Sequence, residues 1–269
     1  MTLLVPMSRR FFLAELGRGT VAIAVVGIAG CTPAGSQVPS TANASTSEGP
    51  SPSGVSPAPA DGSAPPSDAS SGAGDGVIWE RVNLGFVSAY VLARGGEAAI
   101  VDTGTAGSEA DIAAALERIG LGWDAVGHVI VTHRHGDHAG STAAVLEAAP
   151  DATGYAGAED LAAISAPRPL VAVADGEDVF GLTIIATPGH TAGHVAVLDE
   201  VGGILVAGDA LGTGGGAVQG PDSQFTEDMA TALASVAKLG TLKFETLLVG
   251  HGDPIVGGAS DLVAALDPS

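Results

Sequence analysis

From residue 77 onward the chain predicts an α/β layered fold. Two observations carry that reading. Short apolar runs of strand length alternate with segments of helical pattern, and the runs close on a glycine beside a histidine or aspartate. Strand ends converging on one cleft give the second pattern, because glycine permits tight turns and close backbone approach.

In chain order, Val77–Leu84, Phe86–Ala93 and Glu97–Val101 read as three adjoining strands. Ser108-Glu109-Ala110-Asp111 has the form of a capping box opening a helix to about Ile119, where Gly120 stops it. The apolar run His128–Val131 is a strand, and a helix is expected from Asp137 to Ala148, ending at Pro150 with its N-terminus toward the preceding loop. Leu182–Ala186, Ile204–Gly208 and Thr246–Gly250 are further strands; Ser223–Leu239 and Ala259–Leu266 are further helices. The length of 77–269 suits one core.

The chemistry concentrates in Thr132-His133-Arg134-His135-Gly136-Asp137-His138-Ala139-Gly140. It holds three of the seven histidines at H-x-H-x-D-H spacing, directly after a strand. Imidazole nitrogen and carboxylate oxygen are ordinary ligands of zinc and related metals, and a loop leaving a strand can aim them at one point. Downstream, His190 sits in Pro188-Gly189-His190-Thr191-Ala192-Gly193-His194, Asp209 follows Gly208, and His251 follows Gly250. Upstream, Asp102-Thr103-Gly104 closes a strand. His128 reads as structural, and His194 as a supporting or packing group outside the ligand set. Asp253 reads as a turn residue with Pro254.

This ordered series, D-T-G, T-H-R-H-G-D-H, P-G-H-T-A-G-H, G-D and G-H-G, resembles the five motifs of the metallo-β-lactamase superfamily, over roughly residue 77 to the C-terminus. The resemblance implies an αββα four-layer sandwich with a binuclear metal site at one edge and two Zn2+ per chain. His133, His135 and His190 would hold one ion, Asp137, His138 and His251 the other, and Asp209 would bridge them. Asp137 and Asp102 belong to the catalytic apparatus in this reading, Asp102 as an outer carboxylate orienting the groups that touch metal.

Two cations about 3.5–4 Å apart can share a hydroxide, and zinc lowers the pKa of bound water to about 7, so no Ser or Cys nucleophile is needed. Five neutral imidazoles and two carboxylates leave such a centre positive, which polarises a carbonyl and stabilises an oxyanion. The implied reaction is hydrolysis of an ester, thioester, lactone or lactam in a small molecule. The Asp137-His138 pair with Asp209 is most similar to the glyoxalase II and lactonase branch. No cysteine lies in the domain, which disfavours lactamases with a cysteine ligand, and Asp209 argues against the remaining lactamase pattern. His251 lies 18 residues from the end of the sequence, which disfavours the separate substrate domain of glyoxalase II. The alternatives are an oxidoreductase with one Fe2+, resembling the persulfide dioxygenases, β-lactamase activity proper, and a metal-binding surface lipoprotein without turnover.

Charge limits the substrate. Residues 77–269 hold seven Lys and Arg against 25 acids, a net charge of −18 with His neutral. Nucleic-acid binding requires cations that neutralise phosphates, so no nucleic-acid partner is expected. Substrate loops are expected at Phe86–Tyr90, Tyr155–Pro169 and Leu211–Phe225; the glycines of the last suit either a lid or a flexible connection. Core packing is the expectation for Phe86, Tyr90, Tyr155 and Phe225.

The N-terminal residues are a different object. Ser8-Arg9-Arg10-Phe11-Phe12-Leu13 is a twin-arginine sequence, and Thr20–Gly30 is an apolar stretch of signal-peptide length, short of the roughly 20 residues that span a bilayer. Ile28-Ala29-Gly30-Cys31 resembles a bacterial lipobox, and Cys31 is the single cysteine. The expectation is a signal peptide over 1–30, removed on export through the route that carries folded proteins, and a lipid on Cys31 anchoring the chain to the outer face of the cytoplasmic membrane. Residues 31–76 are rich in Pro, Ser, Gly and Ala, with only Val38 and Val55 as sizeable aliphatics, and read as a disordered linker. Its expected span is about 35–40 Å. Oligomeric state is not readable from the sequence.

Overall fold

The structure is a computed structural model that describes residues 76–266. The expected signal peptide, Cys31 and all but the last residue of the expected linker lie outside the described residues.

Alternating side chains decide the layering. In the hairpin β1 (Ile78–Asn83) and β2 (Ser88–Arg94), Ala89, Val91 and Ala93 face one way, and Tyr90 and Leu92 the other. β3 (Glu97–Val101), β4 (Val126–Val131), β5 (Thr153–Gly157) and β6 (Val171–Val173) extend the sheet in chain order, with β3 to β6 parallel. Parallel strands need crossovers. Helix α1 (Glu109–Arg118) joins β3 to β4, and α2 (Thr142–Ala148) joins β4 to β5. Both pack on the Ala89/Val91 face through Ile112, Leu116, Val145 and Leu146.

The second sheet contains β7 (Asp178–Val179), β8 (Leu182–Ala186), β9 (Val195–Asp199) and β10 (Ile204–Val206) as an antiparallel meander. A two-stranded hairpin follows, β11 (Gly212–Gly214) and β12 (Ala217–Gln219). After helix α3 (Met229–Leu239), strand β13 (Thr246–Leu248) pairs parallel to β10, and β14 (Ile255–Val256) closes the edge before α4 (Ala259–Ala264). Leu92, Val101 and Ile130 of the first sheet meet Ile184, Val197 and Val206 of the second in one core, while Leu205 and Leu247 face Val236, Leu239 and Val263 of α3 and α4. The result is helix, sheet, sheet, helix: the expected αββα sandwich as a single domain.

Three local expectations need correction. Ser108 is the N-cap of α1, but its side chain makes no capping hydrogen bond; its backbone N–H instead donates to Ser141 Oγ at 2.9 Å, tying α1 to α2. The helix expected from Asp137 begins at Thr142, because residues 137–140 stay in the turn that closes the H-x-H-x-D-H loop. Likewise the helix expected from Ser223 begins at Met229, capped by Asp228, whose carboxylate accepts the Thr231 N–H at 3.1 Å.

Candidate metal centre

The H-x-H-x-D-H loop leaves β4 and folds back on itself. The backbone N–H groups of His138 and Ala139 donate to the His135 carbonyl, and Gly140 N–H donates to Gly104 O. A Cβ on Gly140 would lie 2.3 Å from Gly136 O and 2.6 Å from Ala106 N, so only glycine lets the loop close against the Asp102-Thr103-Gly104 turn. Asp102 itself sits at φ 62, a region that side chains rarely adopt. That backbone aims its carboxylate inward: it accepts the Thr132 N–H at 2.7 Å and the Thr132 hydroxyl, and lies 2.8 Å from His138 Nδ1.

Three groups of potential ligand atoms result, each within 4.8 Å of one another: His133, His135 and His190; His133, His138 and Asp209; and Asp137, His138 and His251. These are the seven side chains singled out in the sequence, delivered by the ends of β4, β8, β10 and β13. Asp209 touches both sides of the cluster. Its Oδ2 is 3.4 Å from His190 Nε2 and 3.3 Å from His251 Nε2, and its Oδ1 is 3.2 Å from His138 Nε2.

Hydrogen bonds on the outer nitrogens fix which lone pairs face inward. His251 Nδ1–H donates to Phe86 O at 2.7 Å, so its Nε2 is free to bind. His138 Nδ1 faces Asp102 Oδ2. The Thr132 hydroxyl donates to Asp102 and therefore accepts from His133 Nδ1–H at 3.0 Å; the Thr226 hydroxyl donates to Asp222 O and accepts from His190 Nδ1–H at 3.3 Å. His135 presents Nδ1, 3.1 Å from His133 Nε2 and 2.9 Å from His190 Nε2. The inward nitrogens of His133, His135 and His190 thus point at one another, and Asp209 Oδ1, buried beside His138 Nε2, has no hydrogen-bond partner. Ring nitrogens and carboxylate oxygens converging in this way fit a bound divalent metal.

Protonation follows the same division. Burial, then the neighbouring His138 and His194, hold His133 well below the usual imidazole range, and burial brings His190 to about 4. Burial disfavours charge on His138 too, but Asp102 and Asp209 outweigh it and raise that group well above its usual value. Asp137 and Asp209 raise His251 to about 10. Asp209 is buried, which opposes ionisation, yet His138, His251 and His133 draw it well below the carboxylate range.

Other groups support the site. His194 is fully neutral by burial, its pKa lowered to about 3; its Nδ1 lies 2.8 Å from the Thr187 hydroxyl and its Nε2 accepts the Asp209 backbone N–H at 3.1 Å. It therefore positions Asp209 and does not join the ligand cluster. His128 lies apart, its ring 5.8 Å from Tyr155 and 5.3 Å from Phe180. Asp160 escaped the sequence reading. Fully buried, it accepts Arg134 N–H and the Thr191 hydroxyl at Oδ2, and the Arg134 guanidinium and Gly193 N–H at Oδ1, so it binds the His133/His135 loop to the His190/His194 loop. No ligand-type spacing marks it; an aspartate in an expected substrate loop is an ordinary surface residue.

A pocket of about 670 Å³ opens over the cluster, floored by His135, Asp137, His190, Asp209 and His251. Tyr90 is in the core as expected, its hydroxyl donating to Val249 O, and Tyr155 packs partly buried against the same core. Phe86 and Phe225 contradict that expectation. They are 64% and 63% exposed and line the pocket, Phe86 stacked at 6.2 Å on His251. Residues 211–225 are not a featureless glycine loop either: they hold the β11–β12 hairpin, and Thr213 pins it through N–H to His251 O and hydroxyl to Asp253 O. Asp253 also pairs with Arg81 at 3.0 Å, beyond its expected role in a turn.

Residues 82–251 match the model of the metallo-β-lactamase superfamily, and the chain belongs to it. It is 37% identical over 157 residues to a hydroxyacylglutathione hydrolase of Dechloromonas aromatica, covering 56% of this chain and 52% of that one. It is 43% identical over 84 residues to the probable metallo-hydrolase YflN of Bacillus subtilis strain 168, covering 27% and 32%. The chain therefore spans about half or less of these relatives. Among solved structures, TTHA1623 in a di-iron-bound form is similar at 26% identity and a TM-score of 0.54, over 68% of this chain and 94% of that one. The chain is thus a metallo-hydrolase superfamily member with a His/Asp cluster suited to metal.

Proposed function

We propose that this protein is an exported hydrolase that binds two divalent metals, zinc by preference, and cleaves an acyl C–O, C–S or C–N bond in a small molecule. One observation carries most of the reading: the buried Asp209 Oδ1 has no hydrogen-bond partner although it lies 3.2 Å from His138 Nε2, inside the cluster of ligand-type atoms. His133, His135 and His190 would hold one ion and Asp137, His138 and His251 the other, with Asp209 between. Two complete triads sharing one carboxylate favour a binuclear centre over the single-iron alternative. The di-iron form of TTHA1623 keeps iron as an alternative identity of the pair.

When bound, the metals supply Lewis acidity and bring the pKa of water to about 7. The chain's own residues do the rest. Asp102 keeps His138 Nδ1 protonated and its Nε2 available; it is a positioning residue and does not reach the pocket. Phe86 O does the same for His251. Asp137 lines the pocket, where its carboxylate would help hold the second ion and can accept a hydrogen bond from the attacking water. The names of the relatives and the apolar pocket walls support acyl hydrolysis. Export and a lipid on Cys31 rest on Arg9-Arg10, the apolar stretch to Gly30 and the lipobox-like Ile28–Cys31. Among the described residues no helix is long and apolar enough to cross a membrane.

The test is a screen of the full chain, chelated and reloaded with zinc, against p-nitrophenyl esters, acyl lactones, thioesters and a chromogenic cephalosporin. Metal-dependent turnover of at least one class, lost in Asp137→Ala, is the expected result. Equal turnover by both proteins would overturn the assignment.

A further inference from the structure

Over the metal floor, the pocket walls divide by chemistry. Phe86 and Phe225 expose their rings, Leu211 backs them, and glycine backbone at 212 and 220 leaves room beside them. Burying apolar substrate area against such rings is favourable, and aromatic walls with few polar anchors are the usual form of a site for an uncharged organic group. The charge on the walls has one sign. Asp222 stands at the rim, and none of the seven Lys and Arg among the described residues lines the pocket. Arg81, which bonds the lining Gly252, and Arg134, beside the lining His135 in sequence, are engaged elsewhere: Arg81 by Asp253 and Gly252 O, Arg134 by Asp160 and Glu227.

Resting on the acyl-hydrolase reading above, we infer that the site takes neutral substrates whose acyl side is an apolar group, and discriminates against those carrying a carboxylate. A carboxylate at the far end of the acyl chain, away from the metal floor, would lie among Phe86, Phe225 and Asp222 with no lysine or arginine to meet it, so it would lose its hydration without a partner. A neutral alkyl chain of the same length meets two rings and a leucine. Thr226, next to Phe225, bonds to Asp222 O, and Asp222 Oδ1 accepts the Gln224 N–H, so the loop that bears Phe225 is held in place before substrate arrives.

The experiment uses zinc-loaded full chain and one series of p-nitrophenyl esters: acetate, butyrate, hexanoate, and the adipate monoester, which is the hexanoate with a terminal carboxylate. The value of kcat/KM is expected to rise about three- to fourfold per methylene from acetate toward hexanoate, and to fall about tenfold or more from hexanoate to adipate. Phe225→Ala should flatten the dependence on chain length. Gln219→Lys, which puts a cation on the pocket wall, should narrow the gap between hexanoate and adipate. Adipate cleaved as well as hexanoate, or a chain-length slope untouched in Phe225→Ala, would overturn the inference. Binding is read separately, by calorimetry with hexanoic anilide and adipic monoanilide. Tighter binding of the neutral anilide supports the inference even where no ester turns over, in which case the hydrolase reading fails alone; equal or tighter binding of the anionic anilide sinks the inference alone.

Discussion

Replacing Asp160 by alanine should weaken the protein and its metal centre together. The carboxylate is fully buried and accepts four hydrogen bonds, from Arg134 N–H, the Arg134 guanidinium, the Thr191 hydroxyl and Gly193 N–H. Thr191 and Gly193 are buried as well, so two donors would lose their acceptor out of reach of water. Leaving a buried donor unsatisfied costs about 1–3 kcal/mol, so the two together cost about 2–6 kcal/mol. For a domain of this size that lowers Tm by roughly 4–24 °C. Asp160→Asn keeps the volume but turns one oxygen into a donor, and should cost about half as much. Because the lost bonds tie the loop of His133 and His135 to that of His190, zinc affinity should fall about 10- to 100-fold. Thermal unfolding and competition with a chromophoric chelator read the two effects. An Asp160→Ala protein with unchanged Tm and unchanged zinc affinity would refute the reasoning.

Three further outcomes are expected. A Cβ at Gly250 would lie 2.3 Å from Asp209 Oδ1 and 2.5 Å from His138 Cε1, so Gly250→Ala should keep the fold by circular dichroism yet lose about tenfold or more in zinc affinity; native affinity would contradict the packing. In chelated protein Asp137 and Asp209 hold a proton on His251, whose pKa is about 10, so metal must displace that proton. Zinc binding should then tighten as pH rises from 6 to 9 and release about one proton or more, seen by calorimetry in buffers of different ionisation enthalpy; no release would count against the pairing. Finally, replacing Arg9 and Arg10 by Lys should abolish surface-exposed enzyme while leaving total enzyme in the cell, as measured by protease accessibility of intact cells; undiminished surface enzyme speaks against twin-arginine export.

How far the sequence carried depended on the range of the interaction. The strand Glu97–Val101 and the strand Leu182–Ala186 came out at their observed limits, because buried strands write their own apolar runs. The seven converging side chains were visible for a related reason: they follow such runs, and a glycine directly precedes Asp137, His190, Asp209 and His251. Short strands held in place by contacts from far along the chain were not visible. Gly212–Gly214 and Ala217–Gln219 look like a glycine connection until Thr213 is seen bonded to His251 and Asp253. The start of α2 was misplaced because Asp137–Gly140 has helix-compatible residues that closure onto Gly104 holds in a turn. Asp160 and the exposed Phe86 and Phe225 have roles set by where other segments end, which no local pattern records.

The central claim is that these seven side chains gather a pair of metal ions. A crystal of zinc-reloaded protein, with anomalous scattering collected on both sides of the zinc edge, tests it directly. The account predicts two peaks, one among His133, His135 and His190, the other among Asp137, His138 and His251, with Asp209 touching both. A single peak, or none at these side chains with zinc in excess, would contradict it.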